Sequence, residues 1–234
     1  MIEVKDLSFM YPDGTVALKN VNTQIYEGEF VALIGQNGSG KTTFAKLISG
    51  ILKKGRGEIK IDGKKIDSFK TVELAKKIGY IFQNPDHQLF KTTVLSEIEE
   101  GARNIGLSEK EIGERIKEAA RISGIDEIYF DKHPFFLSKG MRQRVAIASI
   151  LSMRPKYLVV DEPTTGQDYR QSITVMRFLK KLKDDGHTII IITHEMNLVA
   201  EFCEKVIIFS SGAVSYTHLR AHETRHDLVC RLLL

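Results

Sequence analysis

Apolar residues in this chain follow two rhythms. FVALI (Phe30–Ile34), YLVV (157–160), TIIII (Thr188–Ile192) and VIIF (206–209) are short continuous runs, the pattern of strands buried on both faces. A further buried strand is predicted over 78–82. Between the runs, apolar positions recur at the helical period, predicting helices over 42–49, 93–103, 108–123, 140–152, 170–184 and 196–203. Buried strands alternating with amphipathic helices predict an α/β fold with a mostly parallel sheet covered by helices on both faces. Two departures refine this. Residues 2–9 and Val16–Ile25 read as strands around a YPDG turn, and GEIKIDG (57–63) alternates, so an antiparallel β subdomain is expected near the start. A helix-rich block from about 85 to 150 breaks the alternation and predicts an inserted helical subdomain.

Composition narrows the class. With 234 residues, 42% of them hydrophobic, the chain can bury one large α/β core. It contains no apolar run of membrane-spanning length, about 18 residues, and it begins with an acidic, strand-like pattern. A soluble intracellular chain is therefore expected. Cys203 and Cys230 are too few for a disulfide framework. The formal charge of +4 comes from scattered pairs such as Lys64 and Lys65 or Lys180 and Lys181. No aromatic residues interleave with a basic stripe, so no nucleic-acid surface is expected.

The final segment, 214–234, is unlike the rest. His218, His222 and His226 fall at i, i+4 and i+8, which invites a metal-site reading. However, 214–224 resembles the translation of a common transposase-based sequencing adapter, and 227–234 resembles that adapter's continuation. Residues 1–213 are therefore expected to form the native domain, with the natural chain continuing differently after Gly212 and the metal reading dropped. Without the segment the net charge falls to +3.

The chemistry begins at GQNGSGKT, residues 35–42, between a predicted strand and a predicted helix. This is the context that G-x-x-x-x-G-K-[ST] requires. Gly35, Asn37, Gly38, Ser39 and Gly40 would let backbone N–H groups wrap a polyphosphate at a helix N-terminus. Lys41 would reach the β- and γ-phosphates, Thr42 would ligate Mg²⁺, and Thr43 continues the motif. YLVVDE ends a second buried strand in two carboxylates, Asp161 for the magnesium shell and Glu162 for an attacking water. In an extended chain the two would point to opposite sides. His194 ends a third strand and Gln83 follows a fourth, and both could face one γ-phosphate.

Taken in order, these residues resemble the ATP-binding-cassette family over essentially 1–213. The set is Tyr11 as adenine-stacking aromatic, the phosphate loop, Gln83, LSKGM (137–141) as signature, YLVVDE, TGQD (165–168) as the loop between subunits, and His194 as switch histidine. YPDGTVAL, IFQNPDHQLF and DEPTTGQD look most like ATPase subunits of energy-coupling-factor importers, which take up vitamins or transition-metal ions. The resemblance implies a head-to-tail pair, of two copies or two related chains, with ATP between one phosphate loop and the other subunit's Ser138 and Gly140. It implies Glu162 as general base, His194 orienting γ-phosphate and water, and Gln83 sensing Mg²⁺ while linking to the membrane partner. Integral-membrane partners and a peripheral place on the cytoplasmic face of the membrane follow. Other ABC transporters fit as well. A DNA-acting ABC motor would separate its halves by long coiled coil, yet only about 100 residues separate Lys41 from Ser138. A regulatory nucleotide switch would not need the signature. The family pattern there is L-S-G-G-Q, so Lys139 and Met141 depart from it.

Overall fold

The computed structural model describes residues 1–53 and 55–219, with side chains through Ser215. The chain divides into two compact units, Met1–Phe69 together with the segment that starts at Val159, and Lys70–Leu158.

The first unit opens with β1 (Ile2–Met10), β2 (Val16–Ile25), β3 (Phe30–Ile34), α1 (Lys41–Ile48), β4 (Arg56–Ile61) and β5 (Lys64–Lys65). Strands β2, β1, β4 and β5 pair in that order as an antiparallel sheet. The YPDG turn closes as expected, with the Gly14 N–H donating to the Tyr11 carbonyl at 3.0 Å and the Thr15 N–H to Asp13 Oδ1 at 2.9 Å. One strand expected over 57–63 is in fact a hairpin, because Asp62 and Gly63 take φ of 50° and 79°. Two consecutive left-handed residues make the turn whose twist suits a two-residue hairpin.

The second unit holds α2 (Thr71–Ala75), β6 (Ile78–Ile81), α3 (Val94–Asn104), α4 (Glu109–Ser123) and α5 (Lys139–Leu151). Side-chain caps set the starts of the last three. Thr93 Oγ1 accepts the Ser96 N–H at 3.2 Å. Ser108 and Glu111 form a reciprocal capping box, and Ser138 caps α5. Val94, Ile98, Ile112, Ile116, Val145 and Ala148 bury the apolar stripes.

Strand β7 (Tyr157–Asp161) starts in the second unit, where the Tyr157 N–H donates to the Lys77 carbonyl at 2.9 Å, and ends in the first. The first unit then adds α6 (Tyr169–Asp184), β8 (Thr188–Ile192), α7 (Met196–Phe202), β9 (Lys205–Ser210) and β10 (Ala213–Leu219). Its second sheet runs β10, β9, β3, β8, β7, with β3 parallel to both β8 and β9. Every residue of β3 and 189–192 of β8 is fully buried, which is why those runs lack alternation. Antiparallel β10 edges this sheet. It includes the start of the segment expected to be foreign; His222, His226 and Cys230 lie outside the described residues. No group of three or more His, Cys, Asp or Glu suited to a metal occurs among the described residues, and no helix there is long and apolar enough to cross a membrane.

Candidate nucleotide site

The turn between β3 and α1 is built around glycine. Gly35 has φ of 142°, and a Cβ there would lie 2.1 Å from the Phe209 carbonyl oxygen. Gly40, the N-cap of α1, has φ of 104°, and its Cβ would meet the Ala17 carbonyl at 2.6 Å. Either side chain would be strained in backbone and in space. Ser39 is buried at the turn, and its carbonyl accepts the Gly212 N–H at 3.1 Å. Thr43, also buried, shares a 2.9 Å hydrogen bond with the Tyr11 hydroxyl. The Tyr11 ring stands edge-on to Phe9 with centroids 5.0 Å apart.

Lys41 is 7% exposed, and its Nζ donates to the carbonyls of Gly35 and Gln36, both at 2.8 Å. The ammonium thus curls back over the turn and completes a ring of its own loop. Burial pushes its pKa down, while the carboxylates of Glu162 and then Asp161 oppose that shift. Both acids therefore act on the head group of the phosphate loop.

Asp161 is buried at the end of β7, and Glu162 is half-buried. Glu162 is not extended, as the sequence reading assumed: its φ is 46°. Its N–H donates to the Ile192 carbonyl at 3.0 Å, tying the turn to the end of β8. The left-handed residue replaces the extended geometry in which strand alternation would separate the two acids, at a local cost of about 1 kcal/mol or more. His194 follows β8 with an exposed side chain.

Sequence reasoning missed the turn after Glu162. Thr165 Oγ1 donates to Glu162 Oε2 at 2.8 Å, and the Thr165 N–H donates to the Glu162 carbonyl at 3.3 Å. Thr164, 3% exposed, donates its hydroxyl to Glu195, the residue after His194. Adjacent hydroxyls directly after D-E-P were the available signal.

The first unit thus brings together Tyr11, the loop 35–43, Asp161, Glu162 and His194. Gln83, Ser138 and Gly140 belong to the second unit, and all three are exposed there. Ser138 Oγ accepts the Met141 N–H at 3.4 Å. Arg142 braces the same turn, donating from Nη1 to the Leu137 carbonyl at 2.8 Å and from Nε to Asp86 Oδ1 at 2.7 Å. Gly140 has no atom within 4 Å of where a Cβ would sit and needs no positive φ. Nothing among the described residues explains that glycine.

Comparison with known proteins matches the family described as ABC transporter over residues 18–165. Related chains align over 92% of this one, which spans 37% of one relative's length and 82% of another's. The energy-coupling factor transporter ATP-binding protein EcfA of Methanothermobacter thermautotrophicus is 43% identical over 91% of this chain and 68% of its own. The solved structure of cbiO1 from Clostridium perfringens, described as part of the ABC transporter complex cbiONQ, shares 39% identity over 98% of this chain and 92% of its own, with a TM-score of 0.87. The ATP-binding cassette MJ0796, solved as a dimer in a post-hydrolysis state with ADP and Pi, shares 33% identity over 94% of this chain and 98% of its own, with a TM-score of 0.82. The chain belongs to the ABC transporter family and is an ATP-hydrolysing cassette of it.

Proposed function

We propose that this cassette hydrolyses ATP as one half of a head-to-tail pair and powers an importer of the energy-coupling-factor type, for a vitamin or a transition-metal ion. The observation that carries the hydrolytic part is the glycine-built loop over which Lys41 curls, donating to the Gly35 and Gln36 carbonyls, with Glu162 and Asp161 opposing the effect of burial on its charge. An ammonium held at the loop and two acids close enough to feel it suit a polyphosphate, a cation and a water. When nucleotide binds, Lys41 would exchange its loop carbonyls for phosphate oxygens, and Tyr11 would stack on the adenine. Glu162 would take the proton of the water, His194 would orient that water, and Ser138 with Gly140 would meet the nucleotide of the opposite subunit.

Mg²⁺ fits the donors present. Within the first unit Thr42 offers a hydroxyl and Asp161 a buried carboxylate, both hard ligands, and too few without phosphate oxygens and water. The ion would supply charge neutralisation at the phosphates. On this reading the chain's residues perform catalysis by positioning and electrostatics.

Support for the importer reading comes from the EcfA and cbiO1 similarities together with a groove of about 470 Å³ in the second unit. Val72, Ala75, Phe90, Ile105, Ile150 and Met153 line it, and Phe90 is 68% exposed. Glu97, buried beneath, holds the backbone N–H groups of Phe90 and Lys91 at 2.9 and 2.7 Å. A short amphipathic helix of an integral-membrane subunit suits such an apolar groove. The test is Glu162→Gln with copurification. The variant should bind ATP, lose hydrolysis by about 100-fold or more, and accumulate as a closed dimer in size-exclusion chromatography. The unaltered protein should copurify with a small integral-membrane protein. Near-normal turnover by Glu162→Gln would remove the base, and DNA binding without a membrane partner would remove transport.

A further inference from the structure

The threonine pair that follows Glu162 and Pro163 does more than close a turn. Thr165 contacts Glu162 twice, through its hydroxyl to the carboxylate at 2.8 Å and through its N–H to the carbonyl at 3.3 Å. Glu162 needs such support, because its φ of 46° takes it out of the strand that would otherwise orient it. The turn is fixed on its other side too. The buried Thr164 hydroxyl is held by Glu195, whose own N–H donates to Thr193 Oγ1 at 3.1 Å. The Gln167 N–H donates to the Thr164 carbonyl at 3.1 Å, which carries the constraint into the TGQD loop.

We propose that Thr165 is a positioning residue for hydrolysis: its hydroxyl holds one carboxylate oxygen of Glu162 and so helps to fix the orientation in which the base meets the attacking water. The inference rests on Glu162 being the base. A general base contributes only when its reacting oxygen is held within a fraction of an ångström of the productive position. Hydroxyl donation to one oxygen narrows the χ angles open to the carboxylate without touching substrate. Because Thr165 opens the TGQD loop expected between subunits, the same contact would let movement of that loop reach the base.

Thr165→Val keeps the β-branched shape and removes only the donor, so ATPase kinetics isolate the hydrogen bond. We expect kcat to fall about tenfold with KM for ATP within about twofold, and Thr165→Ser to restore kcat to within about twofold of the unaltered protein. Placed in the Glu162→Gln background and measured by single turnover, Thr165→Val should cost no more than about twofold further, because the two residues act as one unit. A Thr165→Val enzyme with unchanged or raised kcat overturns the proposal, as does failure of serine to rescue or an undiminished loss in the Glu162→Gln background. If Glu162→Gln itself turns over normally, the base assignment falls and this inference with it. Inactive Glu162→Gln beside fully active Thr165→Val removes the inference alone.

Discussion

The starts of α1 in the first unit and α5 in the second are built on opposite plans. At α1 the cap is a left-handed glycine without a side-chain hydrogen bond, and the lysine head group is folded onto two carbonyls of the loop. At α5 the cap is an extended serine whose hydroxyl holds the Met141 N–H, with an arginine bracing the carbonyl before it. The difference lies in where the constraints come from. Gly35 and Gly40 are demanded by this chain's own backbone at Phe209 and Ala17, whereas Gly140 faces open space with ordinary helical geometry. A glycine in a helix costs up to about 1 kcal/mol relative to alanine, and on the proposed reading the opposite subunit's nucleotide is what requires one at 140. On the proposed reading, the first helix start serves its own subunit's nucleotide and the second serves that of another.

Gly40→Ala is the most severe way to test the contrast. Its methyl group would lie 2.6 Å from the Ala17 carbonyl and 2.7 Å from Leu18 Cδ2, on a backbone with φ of 104°. We expect a melting temperature lower by an amount worth about 2 kcal/mol or more, and ATP affinity weakened by about 100-fold or more in a fluorescent-nucleotide titration. Alanine accommodated there with normal ATP binding would show that the loop is far softer than its contacts imply.

Gly140→Ala should do the reverse. The methyl group meets nothing within the chain, so thermal stability should hold or rise by up to about 1 kcal/mol, and ATP binding by the single subunit should be unchanged. Steady-state ATPase should nevertheless fall about tenfold or more, because the methyl group would enter the space left for the opposite γ-phosphate, and a tenfold loss is about 1.4 kcal/mol of barrier. Unimpaired ATPase would erase the distinction between the two helix starts.

How far each plan could be read from sequence follows the same division. Buried strands were legible because β3, β7 and β8 bury every residue and cannot alternate. Helices α3, α4 and α5 were legible through the period of their apolar positions, and the hydroxyl caps at Thr93, Ser108 and Ser138 fix where they start. Helix α2 was not, since five residues with none buried carry no period. The 62–63 turn was hidden because Asp-Gly sat inside an alternating run. In the site, the phosphate loop announced itself through glycines that local sterics require. The left-handed Glu162, the curled Lys41 and the Thr164 and Thr165 contacts did not, because each depends on an element distant in sequence or on a single dihedral that composition leaves open.

Met141→Gln is the smallest change and separates two explanations of the odd signature. Met141 takes part in the cap through its backbone N–H, which glutamine retains, and the two residues have nearly equal helix propensity. Thermal unfolding should therefore move by less than about 0.5 kcal/mol. Restoring the family's amide would add one neutral polar contact to the opposite nucleotide, worth about 1 kcal/mol net, so ATPase should change by less than about tenfold. Lys139, adjacent and exposed, adds a positive charge where a polyphosphate would approach and would blunt the gain further. A glutamine variant faster by much more than tenfold, at unchanged stability, would mean that the half-site is crippled by its side chains. A change inside the tenfold window would mean instead that Ser138, Gly140 and the cap geometry carry the contact, leaving both helix starts functional and different only in whose nucleotide they hold.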